Sequence, residues 1–215
     1  MAMRRENLLY VIIDRSQAVR ARRNLTQLVQ NILRADPDFI QFRFKNEPTS
    51  KILAEAISIS RQVKMRQSTK FIVNDRVDVA CAAGADGVHL GREDIPCLYA
   101  RKIMGKKAIV GKTVHTLKEL EQAYLEPINY VSVGPVFKTG TKPRLKPLGI
   151  KKTKRFVFSK NHKGIYNFVI GGIKPLNVPQ LTKEKITNIA ICSAILLSKN
   201  PYQATKEINA IIKFC

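Results

Sequence analysis

The 215-residue sequence predicts an α/β fold, a closed (β/α)8 barrel of the TIM type that forms a single domain over residues 1–215. Three observations point there. Eight short apolar runs of strand length recur along the chain, each is followed by a segment with helical spacing, and no Pro/Gly-rich or repetitive stretch separates them as a linker. Helical crossovers between parallel strands are right-handed, and eight such units in about 200 residues close into a barrel. An open doubly wound sheet satisfies the same alternation and is the alternative architecture.

The elements follow in order. LLYVIID (8–14) is apolar almost throughout, as a strand covered on both faces must be, and ARRNLTQLVQNILRAD (21–36) then spaces its apolar residues for one face of a helix. FIQFRF (39–44) and SKILAEAISISRQVKMRQ (50–67) form the second unit, KFIVND (70–75) and RVDVACAAG (76–84) the third, GVHL (87–90) and IPCLYARKIMG (95–105) the fourth. AIVGKTV (108–114) with TLKELEQAYLEP (116–127) is the fifth, and YVSVGPV (130–136) with a basic stretch around 150–160 the sixth. NFVIGGI (167–173) precedes NVPQLTKEKI (177–186), and NIAICSAI (188–195) precedes the closing NPYQATKEINAIIKF (200–214).

Composition narrows the classes of function. LLYVIID reaches Asp14 too soon for a secretory leader and no run approaches the roughly 20 apolar residues of a membrane span, so a soluble protein is expected. Cys81, Cys97, Cys192 and Cys215 are scattered without a CxxC pair, which fits neither a disulfide framework nor a zinc site and suits a reducing cytoplasm. The net charge of +22 attracts anions, yet the lysines are spread along nearly every polar segment and no RNA-binding aromatic signature accompanies them. Phosphorylated metabolites are therefore the expected partners, and specific nucleic-acid binding is not. A homo-oligomer is compatible with the fold, although no apolar stripe marks an interface.

In a barrel of this kind the reacting groups come from the C-terminal ends of the strands and the loops that follow. The polar residues gather there. Gln41, Arg43 and Lys45 share a parity at the end of the second strand, and two cations on one interior face call for an anion between them, unless the segment is an exposed edge. Asn74 and Asp75 end the third strand, Asp94 follows the fourth and Thr113 ends the fifth. Two carboxylates on neighbouring strands suit a magnesium ion that also binds a substrate diphosphate; equally, each suits the N-cap of the following helix. The loop GPVFKTGTKP (134–143) carries Thr139, Gly140, Thr141 and Lys142, the parts of an anion cradle. Gly172, in a Gly-Gly pair, leaves room for a phosphate against the backbone, and Cys192 with Ser193 ends the eighth strand. Two anion zones imply two phosphorylated substrates, and transfer of a carbon fragment from a diphosphate to a nucleophile on the other. His89 has interior parity and reads as a hydrogen-bonded packing residue; His115 lies in the mouth and His162 on the surface, and none is given a catalytic role.

QFRFK (41–45), VNDRVDVACAAGADGVHLGREDIP (73–96), IVGKTVHT (109–116), VGPVFKTGTK (133–142), IGGI and ICSAI together resemble the thiamine phosphate synthase family over nearly the whole chain. The resemblance implies that a hydroxymethylpyrimidine diphosphate joins a thiazole monophosphate with loss of pyrophosphate. It implies pyrimidine-diphosphate contacts at Gln41, Arg43, Lys45, Asn74 and Lys142, magnesium ligands at Asp75 and Asp94, and Thr113 where the family usually has serine. It implies thiazole-phosphate contacts at Thr139, Gly140, Thr141, Gly172, Cys192 and Ser193, with Lys142, Thr113 and Arg43 as the catalytic set. Phe44 and Arg92 depart from the family pattern and are expected to add positive charge near the site. A thiazole tautomerase of the same fold, which usually has histidine at the position of Pro135, and a decayed ligand- or nucleic-acid-binding barrel are the alternatives.

Overall fold

The computed structural model describes residues 7–66, 68–140, 145–159 and 164–215. The strands β1 (Leu9–Asp14), β2 (Phe39–Arg43), β3 (Lys70–Asn74), β4 (Gly87–Leu90), β5 (Ile109–Val114), β6 (Tyr130–Val133), β7 (Tyr166–Ile170) and β8 (Ile189–Ile191) are hydrogen-bonded in sequence order. All pairs are parallel, and β8 returns to β1 through Leu9 opposite Ile189, which closes the barrel and removes every sheet edge. The open-sheet alternative is excluded by that last pairing.

Helices α1 (Arg15–Arg20), α2 (Leu25–Leu33), α3 (Thr49–Lys64), α4 (Val77–Ala82), α5 (Cys97–Met104), α6 (Leu117–Ala123), α7 (Gly149–Val157), α8 (Val178–Lys183), α9 (Ser193–Leu196) and α10 (Pro201–Lys213) are the α-helices among the described residues, and a 3-10 turn (Pro175–Asn177) leads into α8. Asn24, Thr116 and Asn200 cap α2, α6 and α10 by accepting a backbone N–H three residues on, which fixes where each helix starts. Two short helices escape the sequence pattern. The α1 segment RSQAVR buries only Ala18, too little for an apolar stripe, and starts because Asp14 accepts from the Gln17 N–H. The expected last strand (188–195) stops at Ile191: the backbone breaks at Cys192 (φ −123°, ψ −90°) and Ser193–Leu196 coils into a helical turn.

Strand periodicity divides the core in two. Leu9, Val11, Ile13, Ile40, Phe42, Val73, Val88, Val110, Val131 and Val169 point outward against the helices. The opposite parity places Tyr10, Phe39, Tyr130 and Phe168 inside, where their rings meet at centroid distances of 5.2–6.3 Å and plug the barrel below its C-terminal mouth. Gly111 makes room for this layer, since a Cβ there would lie 2.0 Å from Tyr130 Cζ. No helix among the described residues is long and apolar enough to cross a membrane.

Candidate functional site at the barrel mouth

Above the aromatic plug the interior widens into a cavity of about 340 Å³ lined from every strand. Of the residues expected from the sequence, Gln41, Arg43, Lys45, Asn74, Asp75, Thr113, Thr139, Gly140, Gly172, Cys192 and Ser193 line it. Thr141 and Lys142 lie outside the described residues, between Gly140 and Leu145, which both border the cavity.

Strand parity brings the β2 residues inside. Gln41 is buried and donates from Nε2 to Tyr10 Oη at 2.8 Å. Arg43 pairs with the buried Asp14 at the end of neighbouring β1. Lys45 lies two residues beyond the end of β2, not on the strand as its parity suggested, yet its Nζ reaches Asp75 Oδ2 at 2.6 Å. The segment is no exposed edge, because β2 is paired on both sides.

The Asp75 and Asp94 carboxyl groups are neighbours, although only Asp75 lines the cavity, and neither caps a helix. The residue before α4 is Arg76 and the one before α5 is Pro96, and neither helix has a side-chain cap. Asp75 adopts a left-handed conformation (φ 64°) that turns it out of β3, with its N–H donating to His89 O at 2.8 Å. Asp94 closes its own loop by accepting the Gly91 N–H at 2.6 Å. The two carboxyl groups are hydrogen-bonded to each other. Burial opposes charge on Asp75, but hydrogen bonds from Lys45 and Asp94 and the Lys45 charge outweigh it and hold its carboxyl below the ordinary range. Burial and then the Asp75 carboxylate push the Asp94 carboxyl above the ordinary range.

The far side of the mouth is built from backbone. Gly171 (φ 102°) and Gly172 (φ 65°) hold left-handed conformations, and a Cβ on Gly172 would lie 2.4 Å from Lys138 O. Only glycine lets the two loops pass that closely. Thr139 and Gly140 follow on one side and Ser193 stands on the other. Burial, followed by the Asp14 charge, raises the Cys192 thiol to about 12, so it is a neutral wall rather than a nucleophile.

Phe44 and Arg92 do not alter the charge of the cavity as their sequence positions suggested. Phe44 points outward against Phe42, with the Arg15 guanidinium 5.7 Å and Lys51 Nζ 5.4 Å from its ring centre. Arg92 forms an ion pair with Glu119 and does not line the cavity. His89 is interior, as its parity predicts, and His115 borders the cavity with Nδ1 3.0 Å from Gly134 O. Sequence reasoning passed over Asp14, Tyr10, Tyr130, Ser132, Lys138 and Lys174, which also line the cavity. Period-two counting back from Gly134 finds Ser132 and Tyr130, and counting back from Asp14 finds Tyr10.

The model of the family described as thiamine monophosphate synthase matches residues 9–195. A thiamine-phosphate synthase from Prochlorococcus marinus is 38% identical over 197 residues, covering 92% of this chain and 53% of that protein. A Hydrogenobaculum thiamine-phosphate synthase is 33% identical over 205 residues and is covered over 93% of its length. The chain thus spans about half the length of some of the curated relatives it matches and nearly the whole of others. Among solved structures, the thiamine phosphate pyrophosphorylase from Pyrococcus furiosus superposes with a TM-score of 0.84 at 31% identity, covering 97% of this chain and 96% of that one. With the barrel, the mouth and the match running together from β1 to α9, the chain belongs to the thiamine monophosphate synthase family.

Proposed function

We propose that the protein joins a hydroxymethylpyrimidine diphosphate to a thiazole monophosphate, giving thiamine phosphate and pyrophosphate. One observation carries the reading. A single cavity holds the cations Arg43 and Lys45 beside Asp75 on one side and a glycine-built backbone cradle with hydroxyls on the other, which is room for two unlike phosphorylated groups.

Arg43, Lys45 and Asn74 bind the diphosphate, and Lys142 adds charge to it as it leaves. Gln41 and Thr113 face the pyrimidine ring. Thr139, Gly140, Thr141, Gly172 and Ser193 hold the thiazole phosphate, with Cys192 as the neutral wall behind it, and this aims the thiazole nitrogen at the pyrimidine methylene. The methylene C–O bond breaks with its electron pair leaving on pyrophosphate, the pyrimidine amino group shares the positive charge, and the thiazole nitrogen forms the new C–N bond. No protein base is required, consistent with leaving His89 and His115 outside the chemistry.

Asp75 and Asp94 fit a magnesium ion. They are two hard oxygen donors that act on each other, and a divalent cation beside them would offset the repulsion that pushes Asp94 up. When bound, magnesium neutralises diphosphate charge and makes pyrophosphate a better leaving group. Two carboxylates are enough for an ion that keeps waters and takes its other oxygens from substrate. Substrates of this kind, with no membrane-crossing helix among the described residues, suit a cytoplasmic enzyme.

The test is pyrophosphate release by purified protein given both substrates, with and without magnesium, beside an Asp75→Ala variant. Magnesium-dependent release that the variant loses supports the reaction and the metal site; no release from folded protein under any condition sinks both.

A further inference from the structure

The floor of the cavity carries a chain of hydrogen bonds that the proposed reaction does not use. Gln41 Nε2 donates to Tyr10 Oη at 2.8 Å, and Tyr10 Oη and Tyr130 Oη share a bond of 2.8 Å. Tyr130 Oη lies 3.0 Å from His89 Nδ1, and His89 Nε2 lies 2.8 Å from Thr113 Oγ1. The five residues come from β2, β1, β6, β4 and β5, so the chain crosses the barrel from wall to wall. Tyr10, Gln41, His89 and Tyr130 are at most 7% exposed, and at that depth a hydrogen without an acceptor is costly.

Counting protons gives the chain a direction. A phenol has one hydrogen to donate and a neutral imidazole has one N–H. With Gln41 donating to Tyr10, the Tyr10 hydrogen goes to Tyr130, the Tyr130 hydrogen to His89 Nδ1, and the imidazole proton sits on Nε2, donating to Thr113 Oγ1. The Thr113 hydrogen is then left to donate into the cavity. At the other end Gln41 Oε1, which makes no hydrogen bond among the described residues, is left to accept from it. Reversing any one link requires reversing them all.

We infer that Tyr10, Tyr130 and His89 are positioning residues that hold Gln41 as an acceptor and Thr113 as a donor, so that the floor selects a ring presenting an N–H donor and a ring-nitrogen acceptor. An aminopyrimidine has that pattern, and its oxo counterpart presents the reverse, a carbonyl acceptor and a ring N–H donor. The inference rests on the proposed reaction, in which Gln41 and Thr113 face the pyrimidine. The selectivity therefore resides partly in side chains that never touch the ligand.

Tyr130→Phe and Tyr10→Phe test it, since each keeps its ring in the aromatic plug while cutting the chain. Calorimetric titration of each protein with the aminopyrimidine diphosphate and with its oxo counterpart, without the thiazole partner, reads the preference directly. A site whose buried polar groups are fixed in one sense rejects the wrong pattern strongly, so the wild type is expected to prefer the amino ligand by about 100-fold or more. With the chain cut, His89 and Thr113 can reverse and the preference falls by about tenfold. A purely structural role weakens both ligands alike, so an unchanged preference in either folded variant overturns the inference. Equal affinity of the wild type for the two ligands overturns it without any variant. Failure of the reaction itself is read separately: wild-type protein that releases no pyrophosphate refutes the reaction, whereas release with an unchanged preference in the variants refutes only the relay.

Discussion

Gly111→Ala places one methyl group into the aromatic plug and tests whether that layer is packed as described. The added Cβ would lie 2.0 Å from Tyr130 Cζ and 2.4 and 2.5 Å from its Cε atoms, so the ring must move. It has nowhere easy to go, being 1% exposed and fenced by Tyr10, Phe39, Phe168 and His89. Overpacking of a core costs about 1–3 kcal/mol, and a contact this short against a fenced ring belongs at the upper end, about 3 kcal/mol. Relief of glycine's chain entropy returns only about 0.5–1 kcal/mol. For a domain of this size each kcal/mol moves the melting midpoint by about 2–4 °C, so a net loss of about 2 kcal/mol lowers it by about 4–8 °C. Thermal unfolding followed by circular dichroism measures this, with Gly140→Ala as the control because no atom of the described residues lies within 4 Å of its Cβ. If Gly111→Ala melts within about 2 °C of the wild type, less than 1 kcal/mol by the same conversion, the packing argument is wrong.

Three further predictions follow from single contacts. Arg43→Met leaves Asp14 buried without its cation and is expected to cost about 3 kcal/mol, most of which returns in Asp14→Asn/Arg43→Met because asparagine keeps the oxygen that caps α1; urea titration of the pair decides, and a double variant no better than the single counts against the ion pair. Lys45→Met removes one cation from the side proposed to bind the diphosphate and, on that proposal, is expected to raise the KM for that substrate by about tenfold, the size of one charge-assisted hydrogen bond, while the melting midpoint barely moves because Lys45 is half exposed. Burial raises the thiols of Cys97 and Cys192 to about 12, so iodoacetamide at pH 8 should modify Cys81 and Cys215 and spare these two. Because the folded state favours their neutral form, the stability they contribute is complete below the ordinary thiol range and is lost as pH rises toward 12. A Cys97→Ala/Cys192→Ala variant should therefore show a shallower alkaline decline, and an equal slope would refute the assignment.

Much of this architecture was legible because strands and helices announce themselves by period, and because an interior parity once set at Gln41 and Arg43 carries through the register. What escaped has physical reasons. RSQAVR has no apolar stripe, so α1 depends on a single cap at Asp14. ICSAIL is apolar at every other test a strand would pass, and only the backbone angle at Cys192 separates β8 from α9. The N-cap reading of Asp75 and Asp94 was as good as the paired reading until the positive φ of Asp75 and the Gly91 hydrogen bond to Asp94 showed where each carboxyl is held. Tyr10 and Tyr130 looked like core because aromatic residues in apolar runs usually are core. They are, but their hydroxyl groups meet across the barrel between residues 120 apart in sequence, a relation that only closure creates.

The aromatic plug makes the cavity a well with one doorway. Among the described residues Tyr10, Phe39, Tyr130 and Phe168 fill the barrel beneath the cavity, so what enters at the mouth departs by the route it came in. For the two substrates of the proposed reaction such a well implies a queue: the lower one is admitted first and leaves only after the upper one, or the piece joined to it, has moved aside. Traffic through this molecule is thus ordered by depth, a property of the stopper at its base rather than of any group at its rim.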